Sequence, residues 1–285
     1  MKTIKKILAA TDFSDRATRA LKYAVSLAQE TEAKLYILHA YRVPSATTGT
    51  PYPMTGLYVD TVAIQEQVVK EVKESFEEME NIHLKYKKIQ YEFIDRLAFP
   101  EEAIEEVIEE QNIDLVVMGN RGDSSLEKLL GSTTTHMMRR TTCPILTIPE
   151  EAIFTKVDTI LLATDYQRAN RPEAFQGLLS LADTFHAQID VLHIVPSNEK
   201  LGADKLSAGN SLDRILRPIP HTYHHQEEEN VLEGLQVYLE KHQEIGILAM
   251  MPRNHSVWDQ LTKGSISKQV VFEADRPVLI FHGHR

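Results

Sequence analysis

Residues 114–135 read DLVVMGNRGDSSLEKLLGSTTT, and this order decides the fold. The apolar residues Leu115, Val116, Val117 and Met118 run into Gly119; Gly122 follows, and Gly131 stands directly before Ser132, Thr133, Thr134 and Thr135. An apolar run, a glycine turn and a Ser/Thr cluster predict a strand, a loop and a helix start. Glycine lets backbone N–H groups approach a ligand with no Cβ in the way, and the free N–H groups of a helix start attract anions. A phosphate chain suits such a turn. The same pattern also serves an α/β protein as a plain change of direction with an N-cap, so spacing alone leaves both readings open.

Outward from this stretch, strand and helix patterns alternate. Residues 4–9, 34–40, 89–94, 113–118 and 144–148 are short apolar runs that predict five strands. Between the first two, Ala17, Ala20, Leu21, Ala24, Leu27 and Ala28 recur at helical spacing; between the next two, Ile64, Val68, Val69, Val72, Phe76 and Met79 do the same. Residues 42–60, rich in Pro, Thr, Gly and Tyr, read as a long loop. Pro100 opens a third helix, residues 100–110, whose EEAIEEVIEE run turns Ala103, Ile104, Val107 and Ile108 inward and its glutamates to solvent. A last helix runs from the glycine loop to about Arg140. Strands and helices in this order imply a parallel sheet covered on both faces, with ligands bound at the carboxyl ends of its strands. Asp12 and Gly119 stand at two such ends.

The 285 residues are 42% hydrophobic and 25% charged, which describes a globular chain with room for two domains. The charge balance is 31 − 41 = −10 with no basic tract, so a nucleic-acid partner is not expected. Cys143 is the single cysteine and forms no internal disulfide; beside Pro144 it reads as a buried structural thiol. The start, MKTIKKILAATDFSD, places lysines before apolar residues, but residues 7–10 are a short core for a signal peptide and run into Thr11 and Asp12. No later segment has the apolar length to span a bilayer. The expectation is a cytoplasmic protein without a membrane partner.

The second half repeats the first. ILAATDF at 7–13 returns as ILLATDY at 160–166, an offset of 160 − 7 = 153, and LHA at 38–40 returns as LHI at 192–194. CPILTI at 143–148 returns as RPVLIF at 276–281, an offset of 276 − 143 = 133, so the second copy is shorter by 153 − 133 = 20 residues, lost between its second and third strands. A tandem duplication is implied, with residues 1–150 and 151–285 as its units and the joint inside PEEAIFTK at 149–156.

With the ATDF start, the VVMGNRG turn, LLGSTTT and the CPILTI end in hand, the chain resembles, over essentially its full length, a tandem pair of domains of the universal stress protein A family. The resemblance implies two doubly wound, five-stranded parallel α/β domains of the adenine nucleotide alpha hydrolase type, packed as a pseudo-dimer through their last strands. In one branch of the family it implies ATP, with Mg2+ as a companion cation. Nucleotide-binding members carry Gly, two residues, Gly, nine residues, Gly, then Ser or Thr; Gly119, Gly122, Gly131 and Ser132 are similar, with eight residues in the long gap and Asp123 beside the turn. By that resemblance the nucleotide would meet Ala10, Asp12, Ala40, Met118, Gly119, Arg121, Gly122, Gly131, Ser132 and Thr133, with the backbone near Ala40 and Tyr41 flanking the base. Read on its own chemistry, Asp12 is either an acceptor for a ligand or a helix cap shared with Ser14.

The second copy keeps Asp165. At the 133 offset, Gly119 and Gly122 become Pro252 and His255, while Gly131 and Ser132 persist as Gly264 and Ser265, so its phosphate cradle reads as degenerate. His221, His224 and His225 invite a metal, but a site takes three or four ligands and no cysteine is near; they read as structural or solvated, as do His282 and His284, and Trp258 reads as packing or surface. Two functions follow: a nucleotide-binding protein whose occupancy biases an unnamed protein partner, or a nucleotide-free interaction protein. A further dimer of chains is compatible with either. An adenylating enzyme finds no committed nucleophile or acid–base pair, so catalysis beyond slow ATP hydrolysis is not expected.

Overall fold

The computed structural model describes residues 3–42, 61–119, 133, 136–137, 141–164, 166, 172–195, 203–229, 231–251 and 276–281. Outside them lie most of the 42–60 loop, the greater part of the glycine loop and its helix, and Asp165, Pro252, His255, Trp258, Gly264, Ser265, His282 and His284.

Five strands come from the first half: β1 (Lys6–Thr11), β2 (Lys34–Tyr41), β3 (Tyr91–Leu97), β4 (Leu115–Gly119) and β5 (Ile145–Ile148). The second half supplies β6 (Thr159–Ala163), β7 (Gln188–Val195), β8 (His221–Glu227), β9 (Ile245–Met250) and β10 (Val278–Ile280). They form one ten-stranded sheet in the order β3-β2-β1-β4-β5-β10-β9-β6-β7-β8. Every neighbouring pair is parallel except β5 and β10, which run antiparallel with Leu146 opposite Leu279. Each half thus has the strand order 3-2-1-4-5, and the last strands of the two halves meet at the centre.

Helices α1 (Asp15–Thr31), α2 (Thr61–Met79) and α3 (Pro100–Gln111) belong to the first half; α4 (Gln176–Phe185), α5 (Ala203–Leu216) and α6 (Val231–Lys241) belong to the second. Ser14 caps α1 by accepting a hydrogen bond from the Ala17 N–H at 3.3 Å, and α1 ends at Glu32, which takes the left-handed conformation. Its buried residues include all six that the spacing predicted. Alternate strand residues bury one face under α1 and the other under α3, where Ala103, Ile104 and Val107 point inward and Ile108 packs at the margin. Cys143 is buried, with its thiol donating to the Ile113 carbonyl at 3.4 Å.

Apolar contacts tie the halves together as well as the strand pairing does. Phe154, in the joint, packs between Tyr23 of α1 at 5.0 Å and Phe185 of α4 at 6.1 Å. Gly177 of α4 lies so close to Pro144 that a Cβ there would stand 2.4 Å from the proline Cγ. Among the described residues no helix is long and apolar enough to cross a membrane.

Candidate functional site

In the first half the strand order reverses beside β1, since β1 feeds β2 on one side while β4 lies on the other. Ala9 is opposite Val117, so Asp12, three residues on, and Gly119, two residues on, end adjacent strands at the reversal. This is the position at which open α/β sheets bind ligands. Ala10, Ala40 and Met118 lie on one face of these strand ends, the face covered by α3, and Met137 is buried in the same cluster. Thr133 is helical and half-buried, one turn before Met137. Arg121, Gly122, Gly131 and Ser132 lie outside the described residues.

The turn after β1 is built from a chain of short contacts. Thr11 Oγ1 accepts the Phe13 N–H at 3.0 Å, and Phe13 takes φ 61°, a left-handed conformation uncommon for an aromatic residue. Asp12 Oδ1 accepts from the Ser14 N–H at 3.0 Å and from the Ser14 hydroxyl at 2.5 Å. The helix cap is therefore Ser14 alone, and Asp12 holds the cap in place. Partial burial works to raise the Asp12 carboxyl, but the Ser14 hydrogen bonds and the Arg16 charge outweigh it and keep the group below the usual carboxylate range. It is an exposed, ionised acceptor at neutral pH, and a carboxylate so engaged at one oxygen keeps acceptor capacity at the other.

Gly119 has a packing duty of its own. A Cβ there would stand 3.0 Å from the Arg16 carbonyl oxygen in the first turn of α1. The absence of a side chain at this strand end lets the helix sit close, whatever else the glycine does.

On the other face, His39 of β2 reaches across to β1. Its Nδ1 lies 2.8 Å from the Thr11 carbonyl, and its ring packs 4.4 Å from Phe13, stacks over Tyr41 at 5.9 Å and meets Phe76 of α2 at 6.5 Å. Tyr41 donates to Asp95 Oδ2 at 3.3 Å. The sequence reading did not single out His39, although the repeat of LHA as LHI was its signal.

The second half makes the same turn. Tyr166 takes φ 66° and its N–H donates to Thr164 Oγ1 at 3.0 Å; His193 Nδ1 lies 2.8 Å from the Thr164 carbonyl, with the rings 4.8 Å apart. At β9, however, the ladder corrects the repeat alignment. Ala9 faces Val117 and its counterpart Leu162 faces Ala249, an offset of 249 − 117 = 132, so Gly119 corresponds to Met251 and Gly122 to Asn254, one residue earlier than the 133 offset gave. Met251 packs against the core where Gly119 admits α1. The extra residue lies beyond β9: nine residues, 255–263, separate Asn254 from Gly264, against eight, 123–130, between Gly122 and Gly131.

The three histidines of β8 diverge. His221 bonds the Ile219 carbonyl and Asp213; His224 turns to Thr222 and Asp190 on the α6 face; His225 sits 6.2 Å from the His193 ring. Among the described residues no group of three or more His, Cys, Asp and Glu side chains is placed to hold a metal ion.

The model of the Universal stress protein family matches residues 3–149, just over half of the chain. The chain belongs to the universal stress protein family. Universal stress protein YxiE of Bacillus subtilis (strain 168) is 37% identical over 147 residues, 50% of this chain and 97% of that protein. Universal stress protein MJ0531 of Methanocaldococcus jannaschii is 31% identical over 147 residues, 50% of this chain and 81% of its own length. A universal stress protein of Archaeoglobus fulgidus DSM 4304 superposes over 99% of this chain and 97% of its own, with a TM-score of 0.64 and 18% identity, and so shares the fold across both halves.

Proposed function

We propose that this universal stress protein binds ATP or a related adenine nucleotide, one per chain, in the half made of residues 1–150, as a regulatory ligand that biases association with a protein partner in the cytoplasm. Residues 1–150 and 151–285 are then two tandem domains of the family, paired as a pseudo-dimer. The β5–β10 contact supports that reading. The observation that carries the ligand is the meeting of Asp12 and Gly119 at the point where strand order reverses. There an ionised carboxylate suits the hydroxyls of a ribose, and the glycine loop that starts at Gly119 suits the phosphates. Arg121, Gly122, Gly131, Ser132 and Thr133 complete the proposed set, with Ala10, Ala40 and Met118 at the strand ends. A Mg2+ ion would travel with the phosphates, which supply much of its coordination together with water.

The nucleotide-free interaction protein is the second reading, and one observation favours it: packing against Arg16 accounts for a glycine at 119 without any ligand. The experiment is titration calorimetry with ATP, preceded by mass spectrometry of the gently denatured protein for co-purified nucleotide. One site per chain is expected, abolished by Gly122→Val and unchanged by Gly264→Val. A protein that carries no nucleotide and takes up none favours the second reading, and two sites per chain, or loss only through Gly264, would show that the working site has been assigned to the wrong half.

A further inference from the structure

We propose that His39 is a positioning residue of the nucleotide site, holding Asp12 in its ligand-facing position from across the strand; the inference rests on the reading just given. His39 does not touch Asp12. It holds the peptide that leads into it: the acceptor at 2.8 Å is the Thr11 carbonyl, and the plane of that peptide carries the Asp12 nitrogen. On the far side of Asp12, Phe13 is held left-handed, its N–H on Thr11 Oγ1 and its ring against the same imidazole at 4.4 Å. Left to itself, such a conformation relaxes, and it persists only where surrounding contacts over-determine it. One imidazole therefore fixes both flanks of residue 12, and Ser14 fixes its carboxylate.

The same device occurs independently at Thr164, Tyr166 and His193, with the same two hydrogen-bond lengths and another aromatic ring, so it belongs to the turn and not to one side-chain choice. A carbonyl can only accept, so Nδ1 carries the proton. Protonation of Nε2 leaves that bond in place, and the clamp acts in either charge state of the ring.

The test is ATP titration of the full chain with His39→Leu, His39→Asn, His39→Gln and His193→Leu, each with its melting temperature. An asparagine amide can place a donor near the Nδ1 position, whereas a glutamine reaches toward Nε2. His39→Leu and His39→Gln should weaken ATP binding about tenfold, the scale on which loss of a support one contact removed from a ligand group is felt. His39→Asn should recover most of that loss. His193→Leu should lower the melting temperature as much as His39→Leu while leaving ATP affinity unchanged, which separates positioning from stability. Equal affinity in His39→Leu and the parent, failure of asparagine to rescue, or an equal loss of affinity in His193→Leu each overturns the proposal. A parent protein that binds no ATP overturns the functional reading itself, and this inference with it.

Discussion

At the ends of β1 and β6 the chain makes one turn twice, down to the bond lengths, whereas at the third residue of β2 and of β7 the two halves part company. Tyr36 of β2 is 3% exposed and belongs to an apolar cluster with Leu38, Ile94 and Ile104. Asp190 of β7 occupies the matching register, as Tyr36 pairs with Glu92 and Asp190 with Thr222, and it is equally buried at 5%. Its carboxylate accepts the Thr222 hydroxyl at 2.7 Å, and His224, standing where the first half has Ile94, lies 3.8 Å away. Beyond them Tyr238 of α6 stacks on His242 at 4.2 Å. Burial, aided by the nearby Asp190 and Glu244 charges, pushes the Tyr238 phenol up to about 12. The difference separates two demands on the fold. The turn is held to one geometry in both halves, while the core beneath the sheet edge accepts either an apolar or a hydrogen-bonded solution.

The largest effects should come from breaking that core contrast. Tyr36→Ala removes a buried ring that nothing can replace and should cost about 3 kcal/mol of stability. Asp190→Ala should cost about 1 kcal/mol, because the exposed Thr222 hydroxyl can turn to water once its acceptor has gone. Urea midpoints of the two variants measure the ratio. If Asp190→Ala proves as damaging as Tyr36→Ala, the polar cluster is a structural requirement of the second half and not an interchangeable core.

A smaller effect distinguishes the ends of β4 and β9. Gly119→Ala drives a methyl group to 3.0 Å from the Arg16 carbonyl, a backbone atom that can yield only by moving α1, and should lower stability by about 1–2 kcal/mol even without nucleotide. Met251→Ala has no such clash and trims a partly buried side chain. Thermal melts of the ligand-free variants decide it. A Gly119→Ala protein as stable as its parent would remove the packing explanation and return the glycine wholly to the ligand.

Most of the sheet was legible because each half repeats its strand motifs, and repetition outweighs the ambiguity of any single apolar run. The missed parts share a cause: they depend on which backbone lies next door. The apolar run of the third strand ends at Ile94, yet β3 continues to Leu97 because its ladder with β2 runs on to Tyr41. Its edge position leaves Glu92, Asp95 and Leu97 exposed, so composition gives no sign of the extension. Likewise, an alignment anchored on the last strand mistook Pro252 for the partner of Gly119, since the inserted residue lies beyond β9 and only the β6–β9 ladder shows it. His39 looked like one more strand residue because its acceptor is a carbonyl 28 positions away, brought within reach by parallel pairing. At the site, Asp12 and Gly119 could be read from the motifs; the left-handed Phe13 between β1 and α1 could not, as nothing in an aromatic residue announces a positive φ.

The smallest predicted effect tests what the Asp12 carboxylate adds to the first of the two turns. The Asp12 carboxyl is held below its ordinary value, partial burial being outweighed by the Ser14 hydrogen bonds and Arg16. A depressed folded value means that the unfolded chain binds the proton more readily, so ionised Asp12 stabilises the fold above the unfolded pKa of about 3.9. That contribution declines as pH falls below this value and is gone once the folded group also protonates. Because Asp12 is exposed, solvent screening limits it to a few tenths of a kcal/mol. Asp12→Asn should therefore lower the urea midpoint slightly at pH 7, and the gap to the parent should close on acidification through pH 4 and below. A gap that persists at low pH would mean that the loss comes from altered turn geometry and not from the carboxylate charge.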